Sequence, residues 1–348
     1  MLILIPVLDL IINDIAFGGE GVARYEGVVV FVPFVMQGEK VRITIEKKMR
    51  HFWRAKLVEV LEPSPHRIAP PCPYFSRCGG CQYQQMTYAE QLRVKEEQVR
   101  QLLQRIGKIH AHPFLPTIGS PEGYGYRNRI VVHSDGRVVG FRGYDNKTLV
   151  DIEHCEIASE EVNQKLITLR ATPASPGHYS LRESALPQTG FYQTNRYLLD
   201  AFRQTVKQAM PTQGKFLFEG YCGNGFFTAV VANYFEKVVA VETNSDALSL
   251  APSLPQVQWL CNSVETVLAK ENPDVLLLDP PREGLSKKVI DLILQKKSVQ
   301  HFIYISCNPA TFARDLAKLS SRFVLCTIQL VDLFPQTAHI ELVAVLKS

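Results

Sequence analysis

Lys215-Phe216-Leu217-Phe218-Glu219-Gly220-Tyr221-Cys222-Gly223-Asn224-Gly225 is the stretch on which the fold reading turns. An apolar run opens into a turn whose three glycines let the backbone approach a ligand closely. Further apolar runs follow at 238–242, 274–279, 302–306, 323–328 and 340–346, separated by helical stretches. Near-continuous apolar strands alternating with helices predict a parallel sheet covered on both faces, an α/β Rossmann-like domain, in which the last strand is free to run antiparallel. Ligands of such sheets sit beyond the carboxyl ends of the strands. Glu242 ends the second strand, about 20 residues beyond the glycine turn, where a carboxylate can accept hydrogen bonds from ribose hydroxyls. The glycines do not form a full G-x-G-x-x-G and nothing calls for a pyrophosphate, so S-adenosylmethionine suits this end of the sheet better than a dinucleotide.

Three other strand ends carry reactive groups: Asp279-Pro280-Pro281-Arg282, Ser306-Cys307-Asn308-Pro309 and His339-Ile340-Glu341. A carboxylate, a thiol and a second carboxylate on one rim suit methylation at carbon 5 of a pyrimidine. That carbon is a poor nucleophile until a thiolate adds to carbon 6 and turns it into an enolate carbon. The adduct then holds a proton on carbon 5 that a base must remove before the thiol can leave. Cys307 is the candidate nucleophile, Glu341 the candidate base, and Asp279 the group facing the N3–H of the ring. Cys222, Cys261 and Cys326 are read instead as small apolar fillers. An acid-Pro-Pro turn also occurs in amino-methylating enzymes, but there an aromatic follows where Arg282 stands here.

Upstream, short β-rich runs punctuated by glycines between Leu8 and Pro63 predict a small OB-like β-barrel. Lys40, Arg42, Lys47, Lys48, Arg50, Arg54 and Lys56 stand against one acid, Glu46, over the stretch 40–56. That clustering fits a solvated strand face or an RNA-binding stripe, and the net charge of +4 does not decide between them. Cys72, Cys78 and Cys81, spaced C-x5-C-x2-C, with Cys155 further on, supply four thiols for zinc or an iron–sulfur cluster. Thr87 with Glu90 forms a candidate capping box, followed by the stripe Leu92, Val99, Leu102, Leu103 and Ile106. The run 1–12 lacks a basic start and contains Asp9, which argues against a signal peptide, and no run reaches the length of a membrane span. A cytoplasmic setting is expected, in keeping with clustered rather than paired cysteines.

Taken together, the run 14–63, Cys72…Cys78-Gly79-Gly80-Cys81-Gln82, Phe191-Tyr192-Gln193-Thr194-Asn195, Tyr221-Cys222-Gly223, Asp279-Pro280-Pro281-Arg282, Ser306-Cys307-Asn308-Pro309 and His339-Ile340-Glu341 resemble the bacterial RNA 5-methyluridine (uracil-5) methyltransferases over almost the whole chain. The resemblance implies a TRAM domain at 1–63, a central α+β domain carrying an iron–sulfur cluster at 64–200, and a class I methyltransferase domain at 201–348. It implies a [4Fe-4S] cluster on Cys72, Cys78, Cys81 and Cys155. It also implies S-adenosylmethionine held by Gln193, Tyr221, Gly223, Glu242, Asn262 and Asp279. Members with both barrel and cluster modify large-subunit ribosomal RNA, so 23S rRNA is the expected partner, with no obligate protein partner and no membrane. Two departures stand out: Glu219-Gly220 replaces the usual Asp-Leu, and the stretch 244–258 is short, which bears on Asn262. The alternatives are methylation of transfer-RNA uridine, methylation of RNA cytosine, and a non-catalytic RNA-binding iron–sulfur protein.

Overall fold

The computed structural model describes residues 7–110, 113–172, 175–186 and 193–348. The start of the run 1–12, residues 1–6, and Phe191 and Tyr192 of the quoted motif lie outside the described residues. Contacts divide the chain into two compact units, one of residues 1–98, 122–183 and 334–339, the other of 99–121, 184–333 and 340–348.

The first unit opens with β1 (Val7–Ile11), β2 (Asp14–Ile15), β3 (Gly21–Tyr25), β4 (Val28–Val32), β5 (Lys40–Lys48) and β6 (Phe52–Glu62). They form one sheet in the order β1-β5-β6-β4-β3-β2, antiparallel except for the β4–β6 pair. No ladder among the described residues joins β1 to β2, so hydrogen bonding leaves the expected barrel open. Alternation along β5 sends Val41, Ile43 and Ile45 inward. They share one core with Tyr83, Met86 and Val94. The exit is pinned by buried Glu39, whose carboxylate accepts from the Met36 and Ser64 amides and pairs with Arg67.

Helix α1 (Tyr88–Leu102) follows, continued by one π-turn over Leu103–Gly107. Glu90 pairs with Arg93, and the inward face of the helix is partly polar: Gln91, Lys95 and Gln98 are buried, whereas Ile106 is exposed. Gln98 Nε2 donates to the Ala16 carbonyl at 2.9 Å, and Gln91 and Lys95 have partners too. Gln91 Nε2 donates to Gln336 Oε1 at 2.9 Å and Gln91 Oε1 accepts from the Gln336 amide at 2.9 Å. Lys95 Nζ donates to the Phe334 carbonyl at 3.0 Å, and Tyr126 Oη to the Pro335 carbonyl at 2.9 Å. The segment 334–339 is thus bonded along its length into the first unit. A second sheet holds β7 (Arg129–Ser134), β8 (Val139–Arg142), β9 (Leu149–Asp151) and, after α2 (Glu160–Ala171), β10 (Gly177–Arg182), in the antiparallel order β10-β7-β8-β9. Helix α2 covers it through Val162 and Leu166.

The second unit takes the end of α1 from Val99 and the π-turn, whose Val99 and Leu103 join its core, and goes on with α3 (Leu199–Ala209) and β11 (Gly214–Gly220), then α4 (Thr228–Val231), β12 (Phe235–Glu242), α5 (Ser245–Leu248), β13 (Val257–Cys261) and α6 (Val264–Leu268). It continues with β14 (Val275–Leu278), α7 (Lys287–Gln295), β15 (His301–Ser306), α8 (Pro309–Leu319), β16 (Val324–Leu330) and β17 (Leu342–Lys347). The sheet order is β13-β12-β11-β14-β15-β17-β16, with β17 antiparallel to both neighbours. Every residue of β14 is buried, as the unbroken apolar run requires. The order reverses between β11 and β14, and a ligand site is expected at the carboxyl ends there.

Candidate active site

Hydrogen-bond register assembles the reactive rim. Ser306 of β15 faces Leu342 of β17, so continuing the antiparallel ladder by one residue sets Cys307 opposite Glu341. Asp279 comes directly after the neighbouring β14, and its amide donates to the Gly220 carbonyl of β11 at 3.4 Å. Cys307 therefore feels both carboxylates. Burial first, then the charges of Glu341 and Asp279, push its thiol up to about 12, while Arg282 works the other way. Burial also raises Asp279 and Glu341 well above the usual carboxylate range, and the charge of Asp279 raises Glu341 further. Arg282 again counteracts this at Glu341.

Cys307 immediately precedes Asn308, whose side chain caps α8 by accepting from the Ala310 and Thr311 amides at 3.1 and 3.5 Å, with Pro309 in the first turn. The positive end of this 11-residue helix favours a thiolate in the same sense as Arg282. Arg282 is the residue that sequence reasoning missed: read only as a departure from an aromatic, it is the cation beside a thiol and two acids. The signal available was that accumulation of acidic groups, which calls for a counter-charge.

At the reversal point Gln193, Tyr221, Cys222, Gly223, Asn224, Phe226, Phe227 and Asp279 line a cleft. The turn that shapes it is conformationally demanding. Tyr221, Gly223 and Gly225 have φ of 62°, 56° and 79°, a region most side chains avoid. A Cβ on Gly225 would meet the Trp259 ring at 2.5 Å, whereas one on Gly223 would meet nothing, so the open side of Gly223 is available to a ligand. Glu242 holds the turn from β12. Its Oε2 accepts from the Gly223 amide at 3.1 Å, and its Oε1 accepts from the Thr243 and Asn244 amides at 2.7 and 2.9 Å. Asn262 is exposed beyond β13, its Oδ1 accepting from the Ser263 amide at 2.8 Å. The structure thus draws Gln193, Tyr221, Gly223 and Asp279 to one cleft with Glu242 behind it; Asn262 is not among its lining residues. Beneath the cleft, buried Glu219 accepts from Thr228 Oγ1 at 2.6 Å, and burial pushes its carboxyl up to about 8.

In the first unit Cys72, Cys78, Cys81 and Cys155 are all free thiols. Gly79 lies against the β8–β9 turn, its amide donating to the Arg142 carbonyl at 3.0 Å, where a Cβ would stand 3.0 Å from the Gly143 carbonyl. The Cys155 amide donates to Asn163 Oδ1 of α2 at 2.9 Å. Burial raises all four thiols, and Cys81 feels the charge of the other three. Among the described residues, however, no group of three or more His, Cys, Asp or Glu side chains is drawn close enough to hold a metal ion. The donor chemistry and shared neighbourhood fit a thiolate-ligated group; the side-chain positions are not those of closed coordination.

The basic stretch falls on the β5–β6 hairpin, where three of its cations are engaged. Lys40 pairs with Glu62, Arg42 with Asp9 and Glu59, and Arg54 with Glu20. Lys47, Lys48, Arg50 and Lys56 have no acidic partner among the described residues; Lys48 lies 4.3 Å over the Trp53 ring. No helix among the described residues is long and apolar enough to cross a membrane.

Residues 263–348 match the family described as tRNA (Uracil-5-)-methyltransferase, and residues 6–58 match the TRAM domain. An uncharacterized RNA methyltransferase of Bdellovibrio bacteriovorus is 31% identical over 373 residues, covering 98% of this chain and 95% of the relative. Another from Thermosynechococcus vestitus is 28% identical over 440 residues, with 98% of each chain covered. Among solved structures, the tRNA (uracil-54, C5)-methyltransferase of Pyrococcus abyssi in complex with S-adenosyl-L-homocysteine superposes with a TM-score of 0.73 at 22% identity. The match covers 97% of this chain and 99% of that one.

Proposed function

The chain belongs to the RNA (uracil-5-)-methyltransferase family, and from that premise we propose that it methylates carbon 5 of a uridine in RNA through a covalent bond between Cys307 and carbon 6 of the ring. The observation that carries this reading is the β15–β17 register, which sets a thiol opposite a buried carboxylate with Asp279 and Arg282 beside them. The Cys307 thiolate adds to carbon 6, and the electron pair displaced from the C5–C6 bond makes carbon 5 nucleophilic. S-adenosylmethionine, when bound, supplies the electrophilic methyl that carbon 5 accepts. Glu341 then takes the carbon 5 proton, the C5–C6 double bond re-forms, and sulfur leaves carbon 6 as thiolate. Asp279 faces the uracil edge and accepts from N3–H. Gln193, Tyr221, Gly223 and Asp279 would hold the methyl donor, with Glu242 towards its ribose and Asn262 towards its base.

Cys72, Cys78, Cys81 and Cys155 would hold a [4Fe-4S] cluster, which when bound would brace the cysteine loop against the segment before α2. Anaerobic absorption and iron content test that assignment, and a colourless zinc-loaded protein would overturn it. Lys47, Lys48, Arg50 and Lys56 would contact RNA phosphates, giving affinity rather than base choice. The target base must leave any stack to reach Cys307, so a loop or flipped nucleotide is the substrate. Large-subunit ribosomal RNA is the proposed target, in a cytoplasmic setting. Transfer RNA is the second reading, because the P. abyssi protein of similar fold is named for a tRNA uracil.

The deciding experiment incubates the protein with ribosomal and transfer RNA and labelled S-adenosylmethionine, then hydrolyses to nucleosides. Label is expected in 5-methyluridine of ribosomal RNA; label in 5-methylcytidine, or in neither nucleoside, would overturn the reading. RNA carrying 5-fluorouridine at the target is expected to trap a covalent complex that Cys307→Ala abolishes, because fluorine cannot leave as the proton does.

A further inference from the structure

Helix α8 grips the turn that follows Asp279-Pro280-Pro281. The Arg282 carbonyl receives Asn308 Nδ2 at 3.0 Å and faces Thr311 Oγ1 at 3.0 Å, the single hydroxyl proton being shared with the Asn308 carbonyl at 3.1 Å. One turn further along α8, Arg314 Nη2 donates to the Glu283 carbonyl at 2.8 Å. Asp315, fully buried, accepts from the Leu285 amide at 2.8 Å and from Tyr304 Oη of β15 at 2.7 Å. The grip leaves no slack. Gly284 has φ of 74°, and a Cβ there would stand 2.5 Å from Asp315 Oδ2, 2.8 Å from Arg314 Nη2 and 3.1 Å from Thr311 Cβ. Four side chains spaced over two turns of one helix thus fix the backbone on which Arg282 is mounted, and the same helix carries Cys307 just ahead of its cap.

We infer that the first two turns of α8 form a positioning clamp, in which Thr311 and the space-filling contact on Gly284 hold Arg282 as the counter-charge of Cys307. The inference rests on the functional reading above, since it gives the thiol a role. The charged groups facing Cys307 are Asp279 beyond β14, Glu341 before β17 and Arg282 on the clamped turn, and Arg282 is the cation among these three. The first two raise the thiol and Arg282 opposes them, so loosening the turn moves the ionisation of Cys307 to higher pH. Thr311 and Gly284 touch no reacting atom; their effect passes through Arg282.

The test is the pH profile of alkylation at Cys307 by iodoacetamide in the full chain without RNA, read by peptide mass spectrometry. Thr311→Val, which keeps the shape but removes the donor, is expected to shift the profile alkaline by about one unit, roughly tenfold slower alkylation at pH 8. Thr311→Ser restores the donor and should follow the wild-type curve. Gly284→Ala attacks the clamp from the loop side and should shift the profile as Thr311→Val does, which keeps the proposal testable if either protein fails to fold. Arg282→Gln should give at least the same shift, with Thr311→Val adding little on top of it, as residues acting through one group are not additive. An unchanged profile in Thr311→Val and Gly284→Ala, or full additivity with Arg282→Gln, would overturn the clamp. Because the readout needs neither RNA nor methyl transfer, absence of 5-methyluridine would sink the activity while leaving this result legible.

Discussion

At the residue scale, the site holds carboxyls taken out of water. Glu219 illustrates the cost: it lies almost fully buried under the cleft, where the Thr228 hydroxyl donates to it. Burial pushes its carboxyl up to about 8 in the folded chain, against 4.5 for an ordinary glutamate. The folded state therefore holds a proton that the unfolded state releases, and stability declines as pH climbs from about 4.5 towards 8. Glu219→Gln, a neutral side chain of the same shape that can still accept from Thr228, should melt with wild type at pH 4.5. By pH 8 it should melt on the order of a few °C higher. Thermal unfolding at the two pH values checks this, and a gap of equal size at both would contradict it. Cys307, Glu341 and Asp279 were legible as candidates because each ends or begins an apolar run. Thr311 and Asp315 were not, because their parts are played against backbone carbonyls and amides that composition does not reveal, and Arg282 was passed over although the acids around the thiol called for a counter-charge.

Elements explain which strands could be read. Strands β11, β12, β14 and β15 stand out as apolar runs because both faces are covered, and the reversed direction of β17 was left open by the sequence and is settled by its ladders. The short β13 escaped, since Gln258 and Cys261 are exposed and break the apolar pattern. Helix α1 was legible from its periodicity, and Val99 and Leu103 of the expected stripe are buried with Leu102 packed against the same core, but the stripe was incomplete. The inward positions of the helix also include Gln91, Lys95 and Gln98, whose buried polar atoms bond to distant backbone, so an apolar stripe selected Ile106 instead. The turn after β11 carries an element-scale prediction. Gly225 combines a φ of 79° with the Trp259 ring 2.5 Å from any added Cβ, so Gly225→Ala should lose about 1–3 kcal/mol of stability. Urea unfolding measures that loss. Because Trp259 is one of two tryptophans, its displacement should also change the native emission spectrum.

For the whole molecule, the expected succession of blocks at 1–63, 64–200 and 201–348 meets a chain that crosses between its compact units several times. Sequence order alone carries no mark of such returns, because the pieces of each unit recognise one another through pairings hundreds of residues apart, such as Gln91 with Gln336. The TRAM domain presents Lys47, Lys48, Arg50 and Lys56 without acidic partners among the described residues. Replacing all four by alanine should lower RNA affinity across sequences. It should also flatten the slope of log affinity against log salt by roughly 0.7–0.9 for each phosphate no longer neutralised. Filter binding over a several-fold range of salt checks it; an unaltered slope would place the RNA elsewhere.

The segment 334–339 also bears on how the protein is made. Translation delivers the early partners first, so Gln91, Lys95 and Tyr126 leave the ribosome long before the backbone of Phe334, Pro335 and Gln336 that they bind. At about 5–20 residues per second the wait is tens of seconds. Until it ends, the early half of the nascent polypeptide waits without those bonds, which can form only once the backbone of 334–336 has been made.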